Sequence, residues 1–528
     1  MGSTTSSTPR RRPTDLHKDA NMIDRLFGFV DRPVQRIERS RSPVVLFVCL
    51  AALLSLQMWF LRWTGNEENY FQLAYRAFAP EKFSQFSAVF DSSHARVVPL
   101  YLLGAVVQLL GYDGAHAVGR VLMTLLYAAG LAYFFSALRL SVWDALLVLV
   151  LFLAAGQELF GGEWLFDGLE SKTVAYALVF FAFGLALRRR WIAAIVVGGA
   201  ATYMHFLVGG FWTVVILIGQ WLETSSWREL LRGLAIYVVL TLPLAGLIFW
   251  DELAWAGTPG TDLADKIYAS RNMLHIVPFT QPGQLWDWLP GLVNALVLLG
   301  ALVVVASRHR DRSAEVTLVL RAAIVGLAFL LAALGPAYLD RHTEMLGKLF
   351  LFRPSSLALL LALTVIIALI FGQLSEEAAA VKALILCALV IAFSWTLVKK
   401  NVEWMRHTAA AFPERRELIA AVVAHTAPGD LVLLDPELDG NRDYMTLVRL
   451  LPRPTLVNWK FVPTNPAEIL RWQSYMDLRR ELFANGCVTR TSVPVRWLVT
   501  LDPGTLERLK SCGQPVWRRG SVALIPVR

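Results

Sequence analysis

Two adjacent carboxylates, Glu67 and Glu68, are the first residues of the chain whose type and spacing could do chemistry. They stand in the segment Gly-Asn-Glu-Glu-Asn-Tyr at 65–70, directly after the first long apolar run. Two neighbouring carboxylates could bind a divalent cation such as Mg²⁺ or Mn²⁺, or one of them could act as a general base. Taken alone, the pair is more typical of the start of a solvated loop.

A second group of acids lies about a hundred residues further on. Glu163, Asp167 and Glu170 alternate with large apolar residues, and Lys172 follows them at the start of another apolar run. Aromatic residues at such a boundary are ordinary interfacial anchors, but the acids are not explained in that way. Ionisable groups at the edge of a membrane core are candidates for function.

Basic residues occupy similar boundaries. Arg353 lies at the beginning of an apolar run, Lys348 lies about one turn before it, and Arg120 lies early in a different run. Such arginines either extend their charge toward lipid headgroups or hold a phosphate or pyrophosphate through the planar guanidinium group. His94 and Arg96 precede a further apolar stretch and are candidates for contact with a substrate.

The composition explains why all these residues border apolar runs. The chain has 528 residues, of which 56% are hydrophobic and only 17% charged, against roughly 25% charged in soluble domains. Repeated runs of about 20 apolar residues exclude an ordinary soluble protein. About eleven runs are predicted to span a membrane: Val44–Leu61, His116–Ala137, Val142–Phe160, Ser171–Leu187, Trp191–Leu207, Gly210–Trp221, Leu234–Trp250, a run ending before Arg308, Val316–Leu339, Leu349–Phe371 and Val381–Leu397.

The positive charges predict how these spans are oriented. The chain carries a net charge of +9, and its N-terminal tail, 1–43, is rich in arginine. Such a tail could bind nucleic acid, but basic residues before a first span more often hold that end in the cytoplasm. The connections predicted to lie outside are then 63–116, 161–170, 251–288 and 340–348.

One apolar stretch, Val97–Leu110, is predicted to lie along the outer membrane surface rather than to cross. It has only about 14 residues, which is short for a span. If it did cross, the arginine cluster 188–190 would lie outside, against the positive-inside rule. The resulting odd number of spans in the body, 44–398, places the C-terminus outside.

The last part of the chain, 399–528, is polar and is predicted to be a small soluble α/β domain. The predicted helices are 414–425 and 467–482, and the predicted strands are 431–434, 495–501 and 522–527. Cys487 and Cys512 both lie in this domain. Outside the cytoplasm they could form a disulfide, and two free buried thiols are the open alternative.

The order of these features resembles the GT-C glycosyltransferases. An acidic pair follows the first span, and a surface helix then opens with Pro99 and ends before Gly111. Arg120 stands early in the second span, more acids follow in the next outer loop, and a soluble domain ends the chain. The resemblance implies a helical polytopic membrane protein that takes a sugar from a polyprenyl-phosphate carrier on the outer face of the membrane.

The same resemblance implies roles for individual residues. Glu67 and Glu68 match the family's Asp-Glu pair, which provides the base or a metal or acceptor contact, although a Glu replaces the first Asp. Glu163, Asp167 or Glu170 would form the second acidic site. The family's lipid-phosphate arginine would be Arg353. From their positions beside the apolar runs, Lys348 and Arg120 are further candidates for the lipid phosphate, and His94, Arg96 and Lys172 are candidates for contact with the donor or acceptor.

The predicted function is therefore transfer of a sugar from a polyprenyl-phosphate donor to an envelope glycan, lipid or protein, in the inner membrane of a bacterium. The partners are membrane lipid, donor and acceptor, with no nucleic acid, and a divalent cation is a possible cofactor. A lipid or solute transporter is the first alternative. Transporters usually place their charged residues near the midplane of the membrane, whereas the charges here gather at one face. A non-catalytic protein of envelope glycan assembly is the second.

Overall fold

The computed structural model describes residues 42–272, 275, 279, 283–371, 376–439, 447–488 and 493–527, with the backbone alone at 376–380, 411–412 and 488. The predicted N-terminal tail lies outside the described residues except for its last two positions. The helices of the body are α1 (Pro43–Gln57), α2 (Gly65–Phe78), α3 (Val97–Ala137), α4 (Val142–Ala154), α5 (Ser171–Leu187), α6 (Trp191–Met204), α7 (Phe206–Thr224), α8 (Trp227–Trp255), α9 (Thr261–Arg271), α10 (Gln284–Arg308), α11 (Ala314–Ala332), α12 (Leu334–Leu339) and α13 (Ser355–Phe371).

Among the described residues, six helical stretches are long and apolar enough to cross a membrane. They are His94–Ala137, Phe206–Thr224, Trp227–Trp255, Gln284–Arg308, Ala314–Leu339 and Val381–Ala410. The body also contains shorter apolar helices of 10–17 residues: α1, α4, α5, α6 and α13. These helices make the chain an integral membrane protein. The count of eleven spans includes the shorter helices and stays a prediction.

Helix α5 lies at the centre of the bundle and packs against α3, α6 and α7. Its Phe180 is fully buried and contacts the rings of Tyr127 and Phe134 on α3. Helix α8, in contrast, exposes large apolar side chains such as Phe249 and Trp250. Exposed apolar side chains on a long apolar helix are what a lipid-facing surface requires.

Helix α3 consists of two segments separated at Gly111. This residue has φ +69° and ψ 174°, a conformation that side-chain-bearing residues rarely adopt. The first segment corresponds to the predicted surface helix, Val97–Leu110, and a short 3₁₀ turn, His94–Arg96, leads into it. The interruption separates this segment from the predicted second span. Its location along the membrane surface stays a prediction.

The C-terminal part contains α14 (Glu376–His425), α15 (Leu447–Leu450), α16 (Pro466–Asn485) and α17 (Pro503–Arg508). Its strands, β1 (Leu431–Leu434), β2 (Val495–Thr500), β3 (Trp517–Arg519) and β4 (Val522–Pro526), form one sheet in the order β1-β2-β4-β3. Strands β1 and β2 are parallel, and the other two pairs are antiparallel. The strands predicted at 431–434, 495–501 and 522–527 coincide with β1, β2 and β4, whereas β3 was not predicted.

One helix covers the junction before this sheet. The span predicted at Val381–Leu397 and the helix predicted at 414–425 both lie within α14, which runs without interruption from Glu376 to His425. The residues after Leu397 become polar, but polarity alone does not end a helix. The segment before Pro413 contains no glycine, and Pro413 itself is accommodated inside the helix.

The structure joins Cys487 to Cys512 by a disulfide, while Cys49 and Cys387 are free. We therefore expect two thiols to react with a thiol reagent in denatured, unreduced protein, and four after reduction. Mass spectrometry of the alkylated protein would count them. Four reactive thiols before reduction, in protein purified from an oxidising compartment, would contradict the pairing.

Candidate functional site

A polar cavity of about 330 Å³ lies where helices α5, α7, α8 and α9 begin or end, beneath part of the C-terminal region. Its charged lining residues are Arg96, Glu163, Glu170, Lys172, Asp251, Glu252, Arg271, Lys348, Arg353 and Lys460. Asn66, Asn69 and Tyr70 of α2 also line it. The cavity therefore brings together residues that are far apart in the sequence.

Glu163, Lys172 and Arg353 form the charged centre of the cavity wall. Lys172 donates a hydrogen bond to Glu163 Oε2 at 3.1 Å, and Arg353 Nε lies 3.3 Å from Oε1 of the same carboxylate. Burial alone would raise the pKa of Glu163, but Arg353 and Lys172 outweigh it and hold the pKa below its ordinary value. Glu163 is therefore an ionised carboxylate that is already engaged by two cations.

Arg353 is held in place by its neighbours but keeps donor capacity. Its Nη1 lies 2.6 Å from His205 Nε2, and its backbone carbonyl accepts a hydrogen bond from the Tyr176 hydroxyl at 3.1 Å. The Nε group of Arg353 faces Glu163 Oε1 at 3.3 Å but makes no well-aligned hydrogen bond with any described residue. A guanidinium has five N–H donors, so an incoming anion can still be bound. His205, directly before α7, is thus a polar neighbour of this arginine.

Glu170 is a buried carboxylate of the cavity wall that forms no ion pair within 4 Å with another described residue. It caps the N-terminus of α5, and only 4% of its surface is exposed. Its Oε1 has no hydrogen-bond partner among the described residues, while Asn66 hydrogen-bonds to the carboxylate. Burial raises the pKa of Glu170 above its ordinary value, although Lys172 opposes this. A buried carboxylate with an unsatisfied oxygen is well suited to accept a hydrogen bond or a proton from a ligand.

Glu67 points away from the cavity and is fully buried against α3. Its carboxylate accepts two hydrogen bonds from Arg120, at 2.8 and 2.6 Å, and others from Thr64 and from the Leu169 backbone N–H. His116 Nε2 lies 3.3 Å from Oε1. Burial alone would raise the pKa of Glu67, but Arg120 and His116 lower it to about 2. This geometry favours a structural role for both Glu67 and Arg120.

Glu68 points in a third direction, toward the C-terminal region. Arg449 donates to Glu68 Oε2 at 2.8 Å and to Asp113 at 2.9 Å, and its guanidinium lies 4.0 Å from the centre of the Trp63 ring. Because Glu67 and Glu68 each bind a different arginine, the two carboxylates do not converge on a shared cation. The described residues contain no group of three or more His, Cys, Asp or Glu side chains arranged for a metal. In this structure both carboxylates are occupied by arginines, and the divalent cation considered from the sequence stays a prediction.

Most of the remaining predicted residues are engaged in ion pairs. Asp167 pairs with Arg62 outside the cavity, and Lys348 pairs with Asp265 at 2.7 Å at its edge. His94 Nδ1 lies 2.6 Å from Asp251. Of the predicted set, the structure brings Glu163, Glu170, Lys172, Arg96, Lys348 and Arg353 to the cavity wall, and does not bring Glu67, Glu68, Asp167, Arg120 or His94 there.

The C-terminal region supplies part of the cavity that the sequence did not indicate. Lys460, Val462 and Thr464 line it, on the segment that connects α15 to α16. Asp251 and Arg271 were also missed. They lie near the ends of α8 and α9, in what the sequence showed only as one long loop.

An apolar groove of about 340 Å³ adjoins the polar cavity. Both are lined by Phe206, Leu207, Leu349, Phe350 and Arg353. The rest of the groove is lined by apolar and aromatic side chains of α5, α7, α8, α11 and the segment before α13. Arg353 is thus the charged residue at the boundary between a polar space and an apolar one.

No protein-family model matches the chain, and no curated protein matches it. Among solved structures, the chain is similar to the crystal structure of ArnT from Cupriavidus metallidurans in the apo state. The two share 14% sequence identity over 92% of this chain and 97% of that one, with a TM-score of 0.39.

Proposed function

We propose that this protein is a membrane glycosyltransferase that takes a sugar from a polyprenyl-phosphate donor at the outer face of a bacterial inner membrane. The acceptor would be an envelope glycan, lipid or protein. The observation that carries the proposal is the position of Arg353, which lines both the polar cavity and the apolar groove. The resemblance to GT-C enzymes noted in the sequence supports the same assignment.

A polyprenyl-phosphate sugar has three parts, and each has a complementary surface here. The isoprenoid chain is apolar and fits the groove beside Phe206 and Phe350. The phosphate is an anion that the free donor groups of Arg353 can hold. The sugar is polyhydroxylated and would lie in the cavity, where Asn66 and Asn69 offer amide groups.

The chemistry would be a displacement at the anomeric carbon of the donor. Glu170 takes the proton of an acceptor hydroxyl, and the hydroxyl oxygen forms a bond to that carbon. The bond from the carbon to the phosphate oxygen breaks, and its electron pair stays on the phosphate, whose charge Arg353 stabilises. Glu163 is a poor base for this step because two cations already hold its pKa low.

Binding of farnesyl phosphate to the purified protein in detergent tests the proposal. We expect it to bind, and Arg353→Met to weaken it by about 10- to 100-fold, since a hydrogen bond to a charged group contributes roughly 1.5–3 kcal/mol. Farnesol, which lacks the phosphate, should bind the original protein more weakly than farnesyl phosphate does. Its affinity should be the same for the original protein and for Arg353→Met. Isothermal calorimetry or thermophoresis would measure these affinities.

Arg341→Met is the matched control, because Arg341 does not line the cavity and its guanidinium packs on the Tyr338 ring. Its affinity for farnesyl phosphate should stay within about twofold of the original, which on the same scale is under 0.5 kcal/mol. Equal affinity for farnesyl phosphate in the Arg353 variant, or equal affinity for farnesol and its phosphate in the original protein, would contradict the proposal.

A further inference from the structure

Lys460 occupies an unusual place in the polar cavity. It lies on the segment between β1 and α16, far from the membrane helices in sequence, and its side chain lines the cavity together with Val462 and Thr464. The C-terminal region thus forms one wall of the space in which the proposed donor sugar would lie.

The segment that carries Lys460 is fixed rather than loosely placed. Arg271 of α9 donates to the Trp459 carbonyl at 2.8 Å, and its guanidinium lies 3.2 Å from the centre of the Trp459 ring. Thr464 donates to Asp91 at 2.8 Å. The backbone N–H of Lys460 donates to Asn458 Oδ1 at 2.8 Å. Contacts on both sides therefore hold the Lys460 side chain at the cavity.

The ammonium group of Lys460 has no carboxylate within 4 Å among the described residues, and the same is true of the Arg271 guanidinium. The other cavity cations differ in this respect. Lys172 and Arg353 share Glu163, and Lys348 pairs with Asp265. Lys460 is therefore a cation for which the cavity provides no direct counterion.

The charges around Lys460 sharpen this point. Arg271, from α9, and Lys172, from the start of α5, are like charges, and Glu170 is the nearby opposite charge. Burial, followed by the repulsion of Arg271, lowers the pKa of Lys460 to about 8. A bound anion would relieve this repulsion and restore the interactions that the ammonium loses on leaving water.

We propose that Lys460, positioned by Arg271, forms a second anion-binding subsite in the cavity, so that the substrate carries a phosphate or carboxylate beyond the donor phosphate at Arg353. The inference rests on the proposed function for the role of Arg353. It assigns the C-terminal region a part in substrate selection. The class of substrate it selects is an acidic sugar or an acidic acceptor.

The test uses full-length protein in detergent with Arg353→Met as the background, so that the donor phosphate position is weakened. The probes are inorganic phosphate, D-glucuronate as a carboxylate and D-glucose as a neutral sugar. We expect phosphate or glucuronate to bind and glucose not to bind. Adding Lys460→Met should weaken anion binding at least tenfold, whereas adding Lys510→Met, an exposed lysine paired with Glu507, should leave it unchanged.

Lys460→Arg tests whether the charge at this position binds the anion, because a purely structural role of Lys460 would not change the pH dependence of phosphate affinity. Phosphate affinity should fall as the pH rises through about 8 in the protein with Lys460, because the ammonium loses its proton. It should persist to higher pH with arginine, which stays charged. Lys460→Arg also keeps a cation in place if Lys460→Met fails to fold.

Two outcomes would overturn the inference. One is anion binding that is unchanged by Lys460→Met. The other is a loss of farnesyl phosphate affinity in the Lys460→Met single variant as large as that in Arg353→Met, which would assign both residues to one phosphate. If farnesyl phosphate does not bind the original protein while anion binding still depends on Lys460, the proposed function fails and the subsite stands.

Discussion

Replacing Glu170 by glutamine should abolish sugar transfer while leaving the protein folded. The amide has nearly the same size but cannot take a proton from the acceptor, and loss of a general base costs about 10²–10⁴ in rate. Cells that lack the gene, complemented with each variant, can be compared by mass spectrometry of their envelope glycans and lipids. The species that the original protein restores should fall at least about 100-fold with Glu170→Gln.

The pH dependence of transfer offers a second view of the same residue. Burial raises the pKa of Glu170, and the base must be deprotonated to act. Transfer in isolated membranes should therefore decline, as the pH falls, at a higher pH than the value of about 4.3 typical of an exposed glutamate. A decline only near that ordinary value would argue against Glu170.

Glu507→Gln is the matched control for Glu170→Gln. It makes the same chemical change in an exposed carboxylate of the C-terminal region that does not line the cavity. Product levels should remain near those of the original protein. Full transfer by the Glu170 variant, at equal protein abundance, would remove Glu170 from the reaction.

Replacing Glu67 by alanine should destabilise the whole protein rather than only slow its chemistry. The change would leave the Arg120 guanidinium, which is fully buried, without its carboxylate. Breaking one side of a buried ion pair typically costs about 3–5 kcal/mol. We expect a markedly lower midpoint of heat-induced unfolding in detergent, followed by tryptophan fluorescence, and reduced abundance in the membrane.

Glu81→Ala is the control here, because Glu81 follows the same helix α2 but is exposed. Its unfolding midpoint should match the original.

Acid should act like the Glu67 substitution, since the pKa of Glu67 is lowered to about 2. The stability it contributes is present at pH values above about 4.3 and is lost as the pH falls toward the lowered value. A Glu67→Ala protein of normal stability that transfers no sugar would instead support direct catalysis by Glu67.

The membrane helices could be predicted from the sequence because hydropathy over about 20 residues is a local property. The roles of Glu67 and Glu68 could not. Residues 65–70 had no helical periodicity strong enough to mark them as anything but a loop, yet they begin α2. In a helix, neighbours point about 100° apart. Asn66, Asn69 and Tyr70 therefore share the face that lines the cavity, while the two acids point elsewhere.

The contribution of Lys460 was even harder to predict from the sequence. Its place in the cavity depends on how the segment 458–464 packs against Arg271 and Asp91, and these contacts connect residues nearly 200 or more positions apart. No local pattern marks such a lysine. The sequence could predict Glu163, Glu170 and Arg353, because each stands beside an apolar run, where a charge is unusual.

The divergent contacts of Glu67 and Glu68 bear on how this chain could be altered or recombined. Glu67 connects α2 to α3 in the membrane body, and Glu68 connects it to Arg449 in the C-terminal region. Two successive residues of α2 thus connect the membrane body to the C-terminal region, although the sequence presents the two as separate modules. A chimera that takes its C-terminal region from another protein would leave the buried Glu68 without an ion-pair partner, unless the new region has an arginine at the place of Arg449. Compatible exchanges should therefore be chosen by this single arginine before any overall similarity of the exchanged region.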